Sequence, residues 1–314
     1  TDSHNTAVGF SAGKAVTTGV DNTLIGALAG DSLTTAANNV AIGTNALGAD
    51  TQGRKNTAIG NSALVTQNFT TATDSLNIAI GNGTGAAITT GTLNTFIGGA
   101  AGDALTDADF NVALGTHTLS SDTLGSKTTA IGQAALFAQN FTTATDTHNT
   151  AVGYQAGVAV TTGIENTLIG GLAGDALTIG EKNVAIGKDA LGADDVGSRS
   201  VAIGHSALGS QNAPSGSVNN MKMTAVGYGA GSGNTTGHTS TFLGYQAGDV
   251  NVDGCCNICI GVDSDTAATD TSFAICIGNS ITASANDFSF GRASNVVTND
   301  FDTDANWSRS SDER

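Results

Sequence analysis

The sequence predicts an all-β fold, a parallel β-solenoid of the β-roll type built from near-identical turns, and three observations carry that prediction. A glycine returns at every seventeenth position, at Gly9, Gly26, Gly43 and Gly60, inside the phrases NTAVG, NTLIG, NVAIG and NTAIG. Self-similarity at a fixed period is the mark of stacked supersecondary units. Between these glycines lie short apolar phrases bounded by Gly, Asn, Thr and Asp, with no stretch of helical periodicity. Composition agrees: 314 residues hold 43 glycines, one proline and 5% aromatics, while 39% apolar content suffices for a core.

The anchors also set the order of the turns. The step from Gly60 to Gly81 is longer by four, and the seventeen-residue spacing resumes through Gly98, Gly115 and Gly132. A second step of the longer kind reaches Gly153, followed at the regular spacing by Gly170, Gly187 and Gly204. A still longer step reaches Gly227, and Gly244, Gly261 and Gly278 close the series. Three regular rungs and one long rung make a superperiod, the interval from Gly9 to Gly81, close enough in its copies to repeat NFTTATDSLN from Asn68 as NFTTATDTHN from Asn140. We expect about 16 rungs over residues 1–282 and a C-terminal neck over 283–314.

Within a rung, alternation along an extended strand sends the residues one and three before the anchor to one face and the residue two before it to the other. The first face reads Thr6 and Val8, Thr23 and Ile25, Val40 and Ile42; the second reads Ala7, Leu24, Ala41, Ala58, Ala79, Phe96 and Ala113. Both are apolar, the pattern of a strand covered on both sides. A solitary solenoid would leave one face wet, so self-association with closed rotational symmetry is expected. A turn of this length, at about 3.3 Å per residue, allows only a narrow coil, and rungs stacked about 4.8 Å apart make a rod of roughly 70 Å.

Asparagine stands four before the anchor at Asn5, Asn22, Asn39, Asn56, Asn77, Asn94 and Asn111, and again at Asn149, Asn166, Asn183 and Asn257. Stacked amides bond along an axis and tolerate turn conformations, so this column reads as a structural ladder. The anchor glycines permit a tight bend or a close backbone approach. After the anchor comes AG in the first two rungs of a superperiod (Gly13, Gly30) and AL in the last two (Leu47, Leu64), so the rungs are of two kinds.

Charge is sparse, at 12%, yet sums to -16. That sign repels phosphates and anionic lipid surfaces, so nucleic acid is not expected as a partner. No apolar run approaches the roughly 20 residues that span a bilayer, so membrane insertion is not expected either. The chain opens at Thr1 in mid-phrase, as a piece of a longer protein would. Cys255, Cys256, Cys259 and Cys276 crowd into one region. Cys259 and Cys276 stand two before their anchors, where small buried residues belong; packing is one reading, a disulfide or metal cluster the other.

Several phrases imitate chemistry. GFSAG at Gly9 fits a nucleophile elbow, but equivalent phrases read GALAG, GGLAG and GYQAG, so Ser11 is one variable residue of a repeat. GNGTG at Gly81 opens no helix that would receive a phosphate. His4, His117, His148, His205 and His238 lack metal-ligand spacing. Asp31, Asp103, Asp175 and Asp249 recur once per superperiod, about 19 Å apart, too far to share one ion and better read as turn residues, unless chains at one level share a site. We therefore expect no catalytic residues, no metal and no cofactor. The longer fourth rungs, VTQNFTTATDSL from Val65 and FAQNFTTATDTH from Phe137, should bulge outward and are the candidate recognition loops, with Asn68, Phe69, Asn140 and Phe141 at their tips. There Phe69 and Phe141 either stack on a sugar ring or pack the bulge.

The phrases NTAIGNSAL at Asn56 and SVAIGHSALG at Ser200 resemble the repeats of trimeric autotransporter adhesin heads and of the related shafts of bacteriophage tail fibres, over about residues 5 to 282. The resemblance implies a left-handed parallel β-roll with three chains around one axis. Here the turn and its regular superperiod are longer than the usual head repeat. At the end, SDER within ANWSRSSDER resembles the entry to an endosialidase-type intramolecular chaperone, which implies an autoprocessing junction at Ser310 or Ser311; the chaperone's remainder, with its lysine, is not in this sequence.

Together these imply a non-enzymatic, homotrimeric structural and adhesive fibre on a virion tail or another extracellular surface. Its partners would be itself, other fibre or tail proteins, and a host-surface glycan or protein receptor. The alternative is the adhesin head of a Gram-negative bacterium. An ice-binding solenoid ranks lower, because the pairs Thr17–Thr18, Thr34–Thr35, Thr89–Thr90 and Thr161–Thr162 skip rungs.

Overall fold

A computed structural model describes residues 3–214 and 219–302 of the chain; Ser310 and Ser311 lie outside the described residues. The chain is an all-β parallel solenoid, with no helix among the described residues, and packs as two units, Thr1–Ile179 and Gly180–Arg314.

In the first unit ten three-residue strands repeat: Thr6–Val8, Thr23–Ile25, Val40–Ile42, Thr57–Ile59, Ile78–Ile80, Thr95–Ile97, Val112–Leu114, Thr129–Ile131, Thr150–Val152 and Thr167–Ile169. Each pairs in parallel with the next without slip, so that Thr6 faces Thr23, Ala7 faces Leu24 and Val8 faces Ile25, and the same register persists to Val152 and Ile169. The second unit continues the pattern with Val184–Ile186, Val201–Ile203, Thr224–Val226, Thr241–Leu243, Ile258–Ile260, Ile275–Asn279 and Asp287–Arg292. Its last rung corrects the expected boundary at 282. Gly291 pairs with Gly278 across a step shorter than any before it, so FSFG is a further turn of the stack, and Asn295–Asp300 then folds back antiparallel upon it.

The anchor glycines fix this register. Gly26, Gly43 and Gly115 hold φ of +133°, +131° and +135°, where side chains are strained. A Cβ built on Gly26 would lie 2.6 Å from the Gly43 carbonyl oxygen, and one on Gly115 would lie 2.7 Å from that of Gly132. Each anchor therefore rests directly on the backbone of the next, and any side chain would pry the rungs apart.

The asparagine column supplies the second tie. Asn22 Nδ2 donates to the Ala36 carbonyl (2.9 Å), while Asn5 Oδ1 accepts from the backbone N–H of Asn22 (2.9 Å) and from its Nδ2 (3.1 Å). Asn39 repeats this against Gly53 and Asn22, Asn94 against Ala108 and Asn77. From Asn22 onward these amides are buried, so each bond satisfies a group that water does not reach. Where the column carries Thr128, its hydroxyl meets Thr147 and Gln139 Nε2 instead.

Packing explains the two kinds of rung. Leu24, Phe96 and Leu168 are the large inward residues of their strands, fully buried, and stand opposite glycines. A Cβ at Gly30 would meet Leu24 at 2.8 Å, at Gly102 the Phe96 ring at 3.0 Å, and at Gly174 Leu168 at 2.8 Å. In the AL rungs the inward residue is Ala41 or Ala58, and Leu47 or Leu64 fills the space. In the first rung of a superperiod the inward residue is alanine and the glycine (Gly13, Gly85 or Gly157) makes room for Leu24, Phe96 or Leu168 of the next rung. Volume is thus exchanged between adjacent rungs as well as within one cross-section, as dense interiors require.

The opposite strand face remains uncovered in a single chain. Val8 is 59% and Ile97 39% exposed, with Ile25, Ile78 and Ile169 similar; in the second unit Leu243, Ile258 and Ile277 face the same way.

Gly115→Ala should cost at least about 3 kcal/mol in urea unfolding, from strain and clash together. Gly83→Ala is the control: its Cβ would meet nothing within 4 Å, and its left-handed φ is one that Ala100 and Ala134 adopt at the same register, so the loss should be about 1 kcal/mol. Equal losses would remove the anchor's special role.

Candidate functional site

The turn after each anchor is where the chain varies without disturbing the stack. The residue two past the anchor is left-handed in every rung, at φ 56° for Ser11, 60° for Leu28, 55° for His117 and 52° for Gln155. Its backbone is committed between rungs: the N–H of His117 donates to Gly99, that of Ala134 to Thr116 and that of Gln155 to Gln133, at 3.0 to 3.1 Å. The conformation of Ser11 is thus a property of the turn, shared with leucine and alanine.

In the first unit three such turns enclose a groove of about 510 Å³ lined by His117, Gln133, Ala134, Phe137, Gln155 and Val158. His117, Ala134 and Gln155 occupy the same column in successive rungs; Gln133 precedes Ala134, and Phe137 and Val158 follow in their rungs. Phe137 is 41% exposed. Sequence reading named Phe137 only as the start of a loop, since nothing in a linear phrase shows that three rungs converge. In the second unit the residues directly after the anchors stack instead: His205 lies 5.2 Å from Tyr228, and Tyr228 lies 5.3 Å from Tyr245, with both tyrosines about half exposed.

The expected recognition tips behave differently. Phe69 and Phe141 are each only 7% exposed, so they close the interior and do not present a ring to a ligand. Asp50 draws the first insertion inward: its Oδ1 accepts from the N–H of Gly53 (3.0 Å) and of Phe69 (3.1 Å), and its Oδ2 from Gln67 Nε2 (2.7 Å). Asp122 holds Gly125, Gln139 and Phe141 in the same way, and Asp194 holds Gly197, Gln211 and Ala213. Burial pushes the Asp194 carboxyl above the ordinary range, against the hydrogen bonds from Gly197 and Gln211. The signal for these aspartates was present as their own recurrence, once per superperiod. Asn68 and Asn140 are exposed, but their side chains accept from Thr51 and Thr123 (3.1 Å each), within a threonine column. In that column Thr17, Thr34, Thr89, Thr106 and Thr161 donate to the carbonyl of the next rung, so it is more continuous than the paired threonines suggested and its hydroxyls are engaged.

The remaining suspects separate. Cys259 and Cys276 are free, fully buried and directly paired across adjacent strands; burial pushes both thiols up. Cys255 and Cys256 are free and half-buried, with Sγ atoms 3.4 Å apart. Among the described residues no group of three His, Cys, Asp or Glu could hold a metal ion, and no helix is long and apolar enough to cross a membrane. Asp31 pairs with Lys14 at 2.8 Å. Asp265 is buried, accepts from the Val250 N–H at 3.0 Å and lies against Asp249; burial first, then that hydrogen-bonded neighbour, raise it to about 7.

The sign of the last effect follows from proton counting. A carboxyl raised in the folded state holds a proton that the unfolded chain releases, so stability falls as pH rises from about 4 to about 7 and no further above that. Asp265→Asn imitates the protonated acid. Its melting temperature should match the wild type at the acid end, exceed it increasingly across the window, and keep a constant advantage above it; a difference independent of pH would refute the assignment. Compared with protein-family models, with curated proteins and with solved structures, the chain gives no match.

Proposed function

We propose that the chain is a structural and adhesive fibre protein that works as a homotrimer, the shaft or head of a bacteriophage tail fibre that presents or contributes to binding of a host surface. The observation that carries this reading is the uncovered apolar face. Val8, Ile25, Ile78, Ile97 and Ile169 repeat on one side of the first unit's sheet. Between them Ile42, Ile59, Leu114, Ile131 and Val152 are half-buried, and an apolar stripe of this kind marks a surface made for association. Because successive rungs present it in one register, a partner with the same repeat matches it along the sheet, and a copy of the chain is the simplest such partner. The repeat phrases favour a fibre or an adhesin head; the SRSSDER end favours the phage fibre of the two.

Light scattering of the purified chain should give about three times 30.9 kDa. The paired substitutions Ile97→Asp and Ile169→Asp should lower the mass to that of one chain while leaving the β circular dichroism unchanged, since charge on an exposed position disturbs association before it disturbs the core. A wild-type monomer would overturn the trimeric reading.

A further inference from the structure

We propose that the groove around Phe137 is a binding subsite for an uncharged hexose of a surface glycan, an inference that takes from the fibre reading only the source of the sugar. The lining supplies what a sugar ring requires. Phe137 offers a partly uncovered aromatic face for the apolar side of a pyranose, beside Val158 and Ala134. Gln133 and Gln155 bring amides that donate and accept, and His117 adds a ring nitrogen, so hydroxyls of either role find partners. No carboxylate, ammonium or guanidinium lines the groove in a chain of net charge -16. The lining thus offers no fixed counter-charge to an ionic ligand, and the negative field of the chain repels anions besides, which leaves a neutral polyol as the class served. A volume of about 510 Å³ falls within the range of small-molecule sites. The three turns are held rung to rung by backbone bonds, so the site is formed in advance.

The repeat supplies its own control. One superperiod earlier the lining positions read Asn45, Asn61, Ser62, Val65, Gly83 and Ala86; one later they read Asp189, His205, Ser206, Gly209, Gly229 and Ser232. Core positions beneath these turns are kept: Ala58, Ala130 and Ala202 correspond, as do Leu64, Leu136 and Leu208. All six outward lining positions diverge over these kept residues, and of the three superperiods only the middle one combines an aromatic ring with two long amides.

Saturation-transfer NMR on the whole chain, with the methyl glycosides of glucose, galactose, mannose and N-acetylglucosamine and with methyl sialoside as the anionic comparator, tests this. At least one neutral glycoside should give saturable transfer and the sialoside none. Phe137→Ala should weaken that binding about tenfold, the size of one lost aromatic contact. Gln133→Asn, which restores the residue found one superperiod earlier, should weaken it with an unchanged melting curve, so a folding defect in the first variant does not decide the matter. Grafting Asn61→Gln, Val65→Phe and Gly83→Gln into the earlier superperiod should raise the number of sites; the open space at Gly83 admits the side chain. No saturable neutral glycoside, or binding indifferent to both groove variants, overturns the proposal. A trimer without sugar binding would sink this inference alone, whereas a monomer that binds at the groove would sink the fibre reading and keep the inference.

Discussion

The contact on which everything else depends is the approach of one anchor glycine to the backbone of the next. It leaves no room for a Cβ, holds φ where other residues are strained, and so forces the chain to return to the same conformation at every turn. Once the anchors stand in a column, the strand before each is in register by geometry, and the asparagine four positions earlier falls beneath its predecessor. Its amide then closes two gaps at once, joining the carbonyl across the coil and the N–H of the neighbouring rung. A buried amide without such partners would cost more than the bonds contribute, so the column is kept only where the geometry is kept.

Given that frame, the interior is solved by exchange of volume. A large inward residue at Leu24, Phe96 or Leu168 is matched by glycine at Gly30, Gly102 or Gly174; a small one at Ala41 or Ala58 is matched by Leu47 or Leu64. Neither choice alters the path of the backbone. The fourth rung absorbs its extra residues by the same economy. A buried aspartate gathers the N–H groups of the insertion, and Gln67 and Gln139 tie it to the asparagine column by accepting from Asn77 and Asn149 at 2.9 Å.

What sequence reading could see follows from this division. Rung length, strand phase, the ladder and the two rung types were legible because each obeys a period that a one-dimensional pattern records. Phe69 and Phe141 stayed open between stacking on a sugar and packing the bulge, which their burial now selects, because an insertion has no short period to say which way it folds. Only the recurrence of Asp50, Asp122 and Asp194 with Gln67, Gln139 and Gln211 pointed inward, and that operates across whole superperiods. The groove was illegible for a different reason. His117, Gln133, Phe137 and Gln155 carry no joint motif, and they meet only because the left-handed turns bring three rungs into one column. The final rung escaped because its shortened step departs from the pattern that located the others.

The same physics explains where function can reside in such a chain. Inward positions and anchors are constrained by neighbours on both sides, so a change in one rung demands changes in two others. The two residues after each anchor have their backbone bonded and their side chains outside the core, so they are released from that demand. Divergence therefore accumulates there at little cost to stability, as at Phe10, His117, Gln133, Tyr154 and the stacked His205, Tyr228 and Tyr245. A repeat that duplicates its scaffold also multiplies these free positions, and each superperiod becomes an independent trial of a surface on the same backbone path. Recognition in this architecture is thus a matter of which outward side chains converge across adjacent rungs, and the scaffold's uniformity is what lets them vary.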